Sequence, residues 1–514
     1  MKDIILFFEV HQPYRLDRKM YEKLIRRALR VSTIDDVKQF EDIIFDQDLN
    51  RIIMERAANK CYTQATKILL ENIKKFANND RKFMVSFGIS GVFIEQALRW
   101  APRVVELFQE LVATGYVELV AQTYYHSIAP LIPDYRELRE QVEEHVKLLQ
   151  EVFGIKPSAI ENTEFMYNNN IACELYSMGF KVILTEGVDW VLGWRSPNFV
   201  YRSYLCDIKV LTRNYRLSDD IGFRFSNITW DQYPLTADKY ASWLASTPGE
   251  IILIAMDYET FGEHHWPETG IHEFLQWLPK EVLKYPYLRF STPTRAVSEH
   301  PAVDIYDVPP WSTISWADER DVSAWLGNSL QKSAFNMLLE LKRYIDALED
   351  PTLLRLWKLL TTSDHFYYMA TKFGSFEEVH KYFSPYKNAV DAYTLYVQAL
   401  TVLFYIVAEK VRQKPSKIVK NLVVPLDRGF HFKCSYNEIP TLTATSIKEL
   451  LWILKIIPED CLQYHLSRGD IQRWLSEIFF LEELTQEIDE IVKLNNSIEE
   501  KRILIIKAIE RYTT

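Results

Sequence analysis

Short apolar runs alternate with longer amphipathic stretches along the first 300 residues of this 514-residue chain. Runs of this length are typical of strands buried on both faces of a parallel sheet, and the stretches between them have a helical period. Repeated strand–helix–strand units predict parallel strands joined by right-handed crossovers, as a closed barrel or an open sheet. Residues 187–250 are richer in aromatic and turn residues, and we interpret them as an insertion that shapes a cleft. The predicted strands are residues 4–10, 83–88, 117–121, 159–160, 182–185, 251–255 and 288–291.

The rest of the chain has a different pattern. Residues 323–412 have a helical period throughout, which predicts a bundle of long helices. A basic, proline-containing segment that resembles a linker separates them from a last part with a short β-like opening and several helices. We therefore predict an α/β domain over residues 1–300, a helical bundle over 301–415 and a small, mainly helical accessory domain over 421–514.

Composition narrows the functional class. The chain has 60 Lys and Arg against 70 Asp and Glu, a net charge of −10, which argues against a general nucleic-acid binder. Its 5 cysteines are far apart, which is more typical of a reducing interior than of a disulfide framework. The first apolar run is too short for a signal peptide, and no apolar stretch is long enough for a membrane span. We therefore expect a cytoplasmic protein. Aromatic residues are 14% of the chain, which fits a large core or, less simply, sugar-stacking platforms.

The stretch that says most about function is residues 251–266, IILIAMDYETFGEHHW. A predicted buried strand runs into Asp257 and Glu259, which an extended backbone would point to the same side. His264, His265 and Trp266 follow directly. Acids and imidazoles at the carboxyl end of a strand are where α/β barrels place their chemistry. The alternative is that the acids are helix caps or turn residues, but so many reactive groups in one stretch favour an active site.

Other predicted strands end in the same way. One histidine or acid after a strand is more often a cap or a core residue, but a barrel brings all its strand ends to one rim. The polar and aromatic residues in question are His11, Gln12, Glu95, Gln96, Gln122, Tyr124, Tyr125, His126, Glu161 and Glu164.

Six blocks in a fixed order resemble glycoside hydrolase family 57, in particular its α-amylase-type members, over most of the chain. The blocks are His11-Gln12-Pro13, residues 88–96, Asn162-Thr163-Glu164, and residues 257–262, 316–321 and 363–368. The resemblance implies an incomplete (β/α)7 barrel followed by a helical domain. It also implies an enzyme that acts on α-1,4-glucans or malto-oligosaccharides by hydrolysis or transglycosylation.

The resemblance also assigns roles. Glu164 matches the catalytic nucleophile and Asp257 the general acid/base of a retaining mechanism, which needs carboxyl groups about 5–5.5 Å apart. The acid/base has to stay protonated near neutral pH, which requires burial or a nearby negative charge from Glu164 or Glu259. The residues that the resemblance implies for substrate binding are His11, His264, Trp266, Trp316, Asp364 and Glu259.

Some residues keep two interpretations. Trp266 and Tyr125 are stacking platforms or core residues, and Glu95 is a cleft residue or part of a helix cap. Arg320 pairs with a neighbouring aspartate or a catalytic acid, or forms a surface ion pair. The last part of the chain resembles a small domain appended to some members of this family. Its candidate residues are Arg468, Asp470 and Trp474, which form a binding face or, more simply, stabilise the start of a helix.

A metal site is the main chemical alternative, because His11, His126, His264 and His265 could gather at one rim. Adjacent His264 and His265 cannot easily bind one ion together, and His11 lacks the usual His-x-Asp spacing, so we expect no metal and no other cofactor. The functional alternatives are a 4-α-glucanotransferase, a non-catalytic glucan-binding homologue, and a zinc-dependent esterase or mannosidase. The sequence predicts no nucleic-acid or membrane partner and leaves the oligomeric state open.

Overall fold

A computed structural model describes residues 1–28, 37–371, 384–438 and 442–513. Residues 372–383 of the predicted helical bundle therefore lie outside the described residues. The chain divides into two compact units, one comprising residues 1–16, 45–332 and 361–393, and the other residues 17–44, 333–360 and 394–514. These units do not coincide with the predicted domain limits at residues 300, 415 and 421, which remain predictions.

Twelve strands occur in the described residues, ten of them in one sheet and two in a hairpin. Their bounds are β1 Lys2–Val10, β2 Val85–Ile89, β3 Val117–Val120, β4 Ala159–Glu161, β5 Val182–Glu186, β6 Val200–Ser203, β7 Lys209–Arg213, β8 Ile251–Asp257, β9 Leu288–Ser291, β10 Asp304–Tyr306, β11 Phe430–Phe432 and β12 Leu442–Ala444.

The large sheet is mainly parallel. Strand β1 pairs with β8 on one side, and with β2 and β9 on the other. From β2 the parallel pairing continues to β3, and a bridge between Ala121 and Ile160 joins the end of β3 to β4. Strand β4 pairs with β5, β5 with β7, and β7 with β8 through Arg213 and Leu253. Strand β6 runs antiparallel to β7 and pairs with β10. The predicted α/β class is confirmed.

Helices connect these strands and make up most of the second unit. The α-helices are Met20–Ala28, Val37–Ile44, Gln47–Ala57, Thr63–Phe76, Gly91–Trp100, Pro102–Ala113, Arg136–Phe153, Asn169–Ser177, Asp189–Leu192, Tyr215–Gly222, Ala237–Ser246, Ile271–Val282, Pro293–Glu299, Ser323–Leu326, Ser329–Leu348, Pro351–Leu360, Ser363–Tyr367, Ala389–Gln413, Pro415–Asn421, Ile447–Ile456, Glu459–Arg468, Asp470–Phe479, Glu482–Lys493 and Ile498–Thr513. A π-helical turn spans Ala58–Tyr62, and short 3₁₀ turns are Ala129–Leu131, Thr163–Phe165, Tyr258–Thr260, Pro267–Thr269, Pro310–Ser312 and Leu426–Arg428.

All seven predicted strands are present, but the interpretation of residues 187–250 as an insertion was wrong. This segment contributes β6 and β7, and β7 lies between β5 and β8 in the sheet. The order of strands therefore cannot be read from the seven apolar runs alone.

Strand β1 is apolar on both faces because both faces are covered. Leu6 and Phe8 belong to a core cluster that includes Leu69 of helix Thr63–Phe76. Ile5 and Phe7 belong to a different cluster, shared with strand residues such as Leu253 and Leu211. Successive side chains of a strand point to opposite faces, so this alternation holds β1 rigidly between two cores. The residues at its carboxyl end are positioned accordingly.

Two disulfides differ from the expectation of reduced cysteines. Cys173 and Cys206 are bonded in the first unit, with Cα atoms 5.6 Å apart, and Cys434 and Cys461 are bonded in the second. The remaining Cys61 is buried and free. Wide spacing along the sequence was therefore a poor guide to pairing, because residues far apart in the chain meet in the fold.

One helix in the described residues, Ala389–Gln413, is long and apolar enough to cross a membrane by length and composition. Half of its most apolar window is buried within the protein, as in core helices that pass the same test. The expectation of no membrane span remains a prediction.

Candidate active site

Glu164 and Asp257 follow two strands of the same parallel sheet. Asp257 is the last residue of β8, and Glu164 lies in the 3₁₀ turn Thr163–Phe165, three residues after the end of β4. Parallel strands place their carboxyl ends at one edge, so both acids lie at that edge. Their charges interact, because the Glu164 carboxylate contributes to raising the pKa of Asp257.

An unusual backbone turn presents Glu164. Its φ is 61° and that of Phe165 is 56°, the left-handed region that non-glycine residues rarely adopt. Such residues persist only where the surroundings hold them. Here the carboxylate of Glu161 accepts a hydrogen bond from the backbone N–H of Phe165 at 3.0 Å, and the N–H of Trp316 donates to the carbonyl of Glu164 at 3.2 Å.

The Glu164 carboxylate is held by hydrogen-bond donors. The indole Nε1 of Trp316 donates to its Oε2 at 2.6 Å, and the hydroxyl of Ser363 donates to its Oε1 at 2.8 Å. The Nε2 of His126 lies 3.6 Å from the same Oε1. Burial lowers the pKa of His126, but Glu164, Asp364 and Glu161 together outweigh burial and the pKa is raised overall. An ionised carboxylate is an acceptor only, so this surrounding suits a charged Glu164.

Asp257 has a contrasting environment. Burial, and then the charge of Glu164, raise its pKa to about 7, against a lowering effect of His126 and Arg213. The predicted source of negative charge was Glu164 or Glu259, and the structure identifies Glu164. A carboxyl group with a pKa of about 7 can still hold its proton near neutral pH, which is what a general acid requires.

His11 and Asp364 form a pair beside these acids. The Nε2 of His11 donates to Oδ2 of Asp364 at 3.0 Å, and its Nδ1 accepts from the hydroxyl of Ser90 at 2.8 Å. The ring of His11 stacks on that of His126, with centroids 4.1 Å apart. Burial and His126 lower the pKa of His11 to about 4, so it is neutral. Burial alone would raise the pKa of Asp364, but its histidine neighbours bring it below the usual range.

The backbone after Asp257 is not extended, so the alternation of a strand does not predict where the side chain of Glu259 points. Strand β8 ends at Asp257 and the next residues form the 3₁₀ turn Tyr258–Thr260. The Glu259 carboxyl is buried and accepts a hydrogen bond from the hydroxyl of Tyr62, at the end of the π-helical turn. Burial and Asp257 raise the pKa of Glu259 to about 8. Its role in substrate binding remains a prediction.

Three residues support Trp316, and two of them, Arg213 and Phe165, had no predicted part in the site. Arg213, the last residue of the missed strand β7, lies over the ring of Trp316 at 5.7 Å and donates to the fully buried Glu186 at 3.0 Å. Arg320 donates to Glu186 at 2.8 Å and to the carbonyl of Trp316 at 2.7 Å. Arg320 thus pairs with Glu186 rather than with the aspartates beside it or as a surface ion pair. The third, Phe165, stacks on Trp316 with centroids 4.9 Å apart.

The remaining predicted residues divide by exposure. Trp266 is 55% exposed, with the ammonium of Lys60 over its ring, whereas Tyr125 is 4% exposed and belongs to the core. His264 is partly buried, and burial followed by His265 lowers its pKa to about 3. Glu95 accepts hydrogen bonds from the hydroxyls of Tyr14 and Tyr124.

The three candidate residues of the last predicted domain, Arg468, Asp470 and Trp474, contact other residues of that domain. Asp470 begins the helix Asp470–Phe479 and accepts hydrogen bonds from Arg468, Arg473 and His465. Trp474 is buried, and its indole N–H donates to the carbonyl of Arg428 at 2.9 Å. These contacts agree with the simpler interpretation, in which the residues stabilise a helix start.

The four histidines considered as metal ligands have other contacts. His11 and His126 stack on each other, and His265 contacts the hydroxyl of Ser226 and the carbonyl of Ile221. Within the described ranges, the group whose ligand atoms lie within 4.8 Å of one another is Cys434, Asp460 and Cys461, and its two cysteines are bonded to each other as a disulfide.

Comparison with known proteins identifies the family. A family model described as glycosyl hydrolase family 57 matches residues 5–309. A relative from Methanocaldococcus jannaschii, which bears the provisional name of an alpha-amylase, is 45% identical over 412 residues, which are 78% of this chain and 84% of the relative. The chain belongs to glycoside hydrolase family 57. It is therefore a glycoside hydrolase, as its sequence blocks predicted.

Several solved structures are similar to this chain in fold. The 4-alpha-glucanotransferase from Thermococcus litoralis has a TM-score of 0.55 and 14% identity, over 84% of this chain and 63% of that one. The chain thus spans less than two thirds of the glucanotransferase. A family 57 branching enzyme from Thermococcus kodakaraensis has a TM-score of 0.54 and 14% identity, over 81% of this chain and 90% of that one. At this identity the likeness shows the fold alone.

Proposed function

We propose that this family 57 enzyme is a retaining α-glycosidase that acts on α-1,4-glucans, with Glu164 as the nucleophile and Asp257 as the general acid/base. The observation that carries the proposal is the contrast between the two carboxyl groups. Burial and a neighbouring charge raise the pKa of Asp257 to about 7, while Glu164 accepts hydrogen bonds from Trp316 and Ser363. One acid is thus suited to donate a proton and the other to attack.

The two groups are expected to act in sequence. Glu164 attacks the anomeric carbon while Asp257 gives its proton to the leaving glycosidic oxygen. Once Glu164 is bonded to the sugar, its negative charge is gone, and one cause of the raised pKa of Asp257 disappears with it. Asp257, ionised after giving up its proton, then has a lower pKa than before, so it stays ionised and can take a proton from the incoming water or sugar hydroxyl. The same contact therefore tunes both half-reactions.

The remaining site residues are proposed to bind the sugar. His11 is a neutral imidazole whose orientation is fixed by Ser90 and Asp364, which suits a hydrogen bond to a hydroxyl. Asp364 keeps acceptor capacity and is partly exposed. The exposed indole of Trp266 suits stacking on a pyranose face. His264, Trp316 and Glu259 stay in the proposed binding set.

We also propose that the sheet closes as the incomplete (β/α)7 barrel of the family. Support comes from the parallel pairings that run from β1 through β2, β3, β4, β5, β7 and β8 back to β1. A closed ring would bring Glu164 and Asp257 to one rim. A cytoplasmic location, with a soluble glucan or malto-oligosaccharide as substrate, is part of the same proposal.

Incubation of the pure protein with maltoheptaose tests the proposal and separates it from its rivals. Hydrolysis raises the number of reducing ends, whereas a glucanotransferase produces longer chains at a constant number of reducing ends. Asp257→Asn should lower kcat by about 10²–10⁴-fold, the usual contribution of a general acid. Glu164→Gln should abolish turnover.

Glu118→Gln is the matched control. Glu118 is also a carboxyl with a pKa raised by burial, but it lies in β3 and accepts a hydrogen bond from the N–H of Thr294 at 3.0 Å. Full activity of the Glu164 or Asp257 variants would refute the assignment. Retention of glucan without cleavage by the unaltered protein would identify a binding homologue instead.

A further inference from the structure

A groove that none of the candidate site residues lines runs beside the helix Ile271–Val282. Its volume is about 480 Å³, within the range of pockets that hold small ligands. The floor is apolar and includes Phe225 and Phe274, and the polar part of the lining includes Asp238, Glu273 and Glu281. We call it the Trp277 groove after the indole in its wall.

One wall of the Trp277 groove is a regular helical face. Glu273, Trp277 and Glu281 are spaced four residues apart, so they lie on one side of the helix. At a rise of about 1.5 Å per residue they span about 12 Å, with the indole between two carboxyl groups. Tyr233 and Asp238 also line the groove. A ligand in the groove would thus meet both aromatic rings and carboxylates.

Both aromatic rings are available to a ligand. Trp277 is 48% exposed and Tyr233 is 44% exposed, although both line a concave surface with a buried apolar floor. The ammonium of Lys280, which does not line the groove, lies over the Trp277 ring at 4.6 Å. Large rings exposed around a concavity are typical of surfaces that bind something.

The charges of the groove select the chemistry of the ligand. Three carboxyl groups line it, and its one lysine, Lys284, is ion-paired with Glu281. An acidic lining disfavours phosphates and other anions. Carboxylates accept hydrogen bonds, so the ligand has to donate them, and flat aromatic rings favour a ligand with an apolar face. A pyranose has both, because its hydroxyl groups surround an apolar ring face.

We propose that the Trp277 groove binds a segment of the α-glucan chain away from the bond that is cleaved. The proposal rests on the proposed function, because a polymeric substrate is the sugar that reaches both places. Binding there raises the affinity for long chains by holding the same molecule at two points. A short oligosaccharide that fills the active site gains nothing from it.

The experiment compares Trp277→Ala with a matched control. Trp452→Ala removes an indole of similar exposure, 58%, from a helix of the second unit. Both changes are made in a Glu164→Gln background, and the dissociation constant for soluble amylopectin is measured by affinity electrophoresis. Trp277→Ala should weaken binding by roughly tenfold, since an aromatic stacking contact is worth about that factor, while Trp452→Ala should have no effect.

Kinetics with the catalytic residues intact provide the second measurement. The kcat/KM of Trp277→Ala should fall for amylopectin and stay unchanged for maltotriose. Equal losses on both substrates, or unchanged amylopectin affinity, overturn the proposal. If circular dichroism shows that Trp277→Ala is unfolded, Glu273→Gln decides instead, and amylopectin affinity equal to that of the unaltered protein then counts against the groove.

The outcomes also separate the two proposals. An unaltered protein that cleaves maltoheptaose, with a Trp277→Ala variant that binds amylopectin equally well, defeats the Trp277 groove alone. An unaltered protein that neither binds nor cleaves amylopectin or maltoheptaose defeats the proposed function and the groove together.

Discussion

Replacing Asp257 by asparagine should stabilise the folded protein at alkaline pH while it removes activity. Burial and the charge of Glu164 raise the pKa of Asp257 from its usual 3.8 to about 7 in the fold. The folded protein therefore holds a proton that the unfolded chain has already lost at intermediate pH. The carboxyl group costs stability progressively as the pH rises from about 4 to 7, and the cost is constant above that range. Asparagine is never charged, so the variant avoids this cost.

The magnitude follows from the difference of about three between the pKa values of Asp257 in the unfolded and the folded state. A difference of one in pKa is worth about 1.4 kcal/mol. At pH 5 the cost is about 1.5 kcal/mol, because this pH is only about one unit above the pKa of the carboxyl group in the unfolded chain. At pH 8 the full cost of about 4 kcal/mol applies. The advantage of Asp257→Asn in free energy of unfolding should thus grow by about 2.5 kcal/mol between pH 5 and pH 8.

Guanidinium unfolding of both proteins at the two pH values measures this difference. Asp231→Asn is the control, because Asp231 is exposed, and this variant should follow the unaltered protein at both pH values. If the advantage of Asp257→Asn is the same at pH 5 and pH 8, the carboxyl group is not held protonated by the fold. The acid/base assignment would then lose its physical basis.

Three further predictions concern the same edge of the sheet. The kcat/KM for maltoheptaose should fall on the alkaline side around pH 7, where Asp257 loses its proton, and a fall centred below pH 5 would contradict the assignment. Trp316→Phe keeps an aromatic ring but removes the N–H that donates to Glu164, so steady-state assays should find kcat lower by about ten- to hundredfold, as for other hydrogen bonds to charged groups. Arg213→Met removes a guanidinium partner of the buried Glu186 and should lower the free energy of unfolding by about 3 kcal/mol; an unchanged guanidinium midpoint would refute this.

Strands covered on both faces could be located from the sequence, and β7 could not. Strands β1 and β8 are continuous apolar runs because helices cover one face and the core the other. Strand β7, Lys209–Arg213, begins and ends with a cation. Arg213 can be buried because Glu186, Asp219 and the carbonyl of Ala255 accept its hydrogen bonds, at 3.0, 2.6 and 2.8 Å. A local pattern contains no sign of those partners, although Val210-Leu211-Thr212 before the capping Asn214 was a usable signal for a strand.

The positions of the two acids could be predicted, but the residues that tune them could not. Ser363 is 199 residues from Glu164 in the chain, and Trp316 is 152 residues away. Both lie in recognised sequence blocks, yet only the fold shows that they donate to one carboxylate. The expectation for Glu259 had a different weakness. It extended the two-residue period of a strand past Asp257, where the strand ends. Sequence periodicity holds within an element and fails at its end.

The site contains more carboxyl groups than it can keep ionised. Burial is the main cause that raises the pKa of Glu9, Glu161, Asp257 and Glu259, and a neighbouring acid adds to it in each case. Carboxyl groups this close cannot all carry charge. Three groups face the oxygens of Glu164: an indole N–H, a hydroxyl and an imidazole. This set of donors, and not its position at the edge alone, is our reason for proposing Glu164 as the nucleophile.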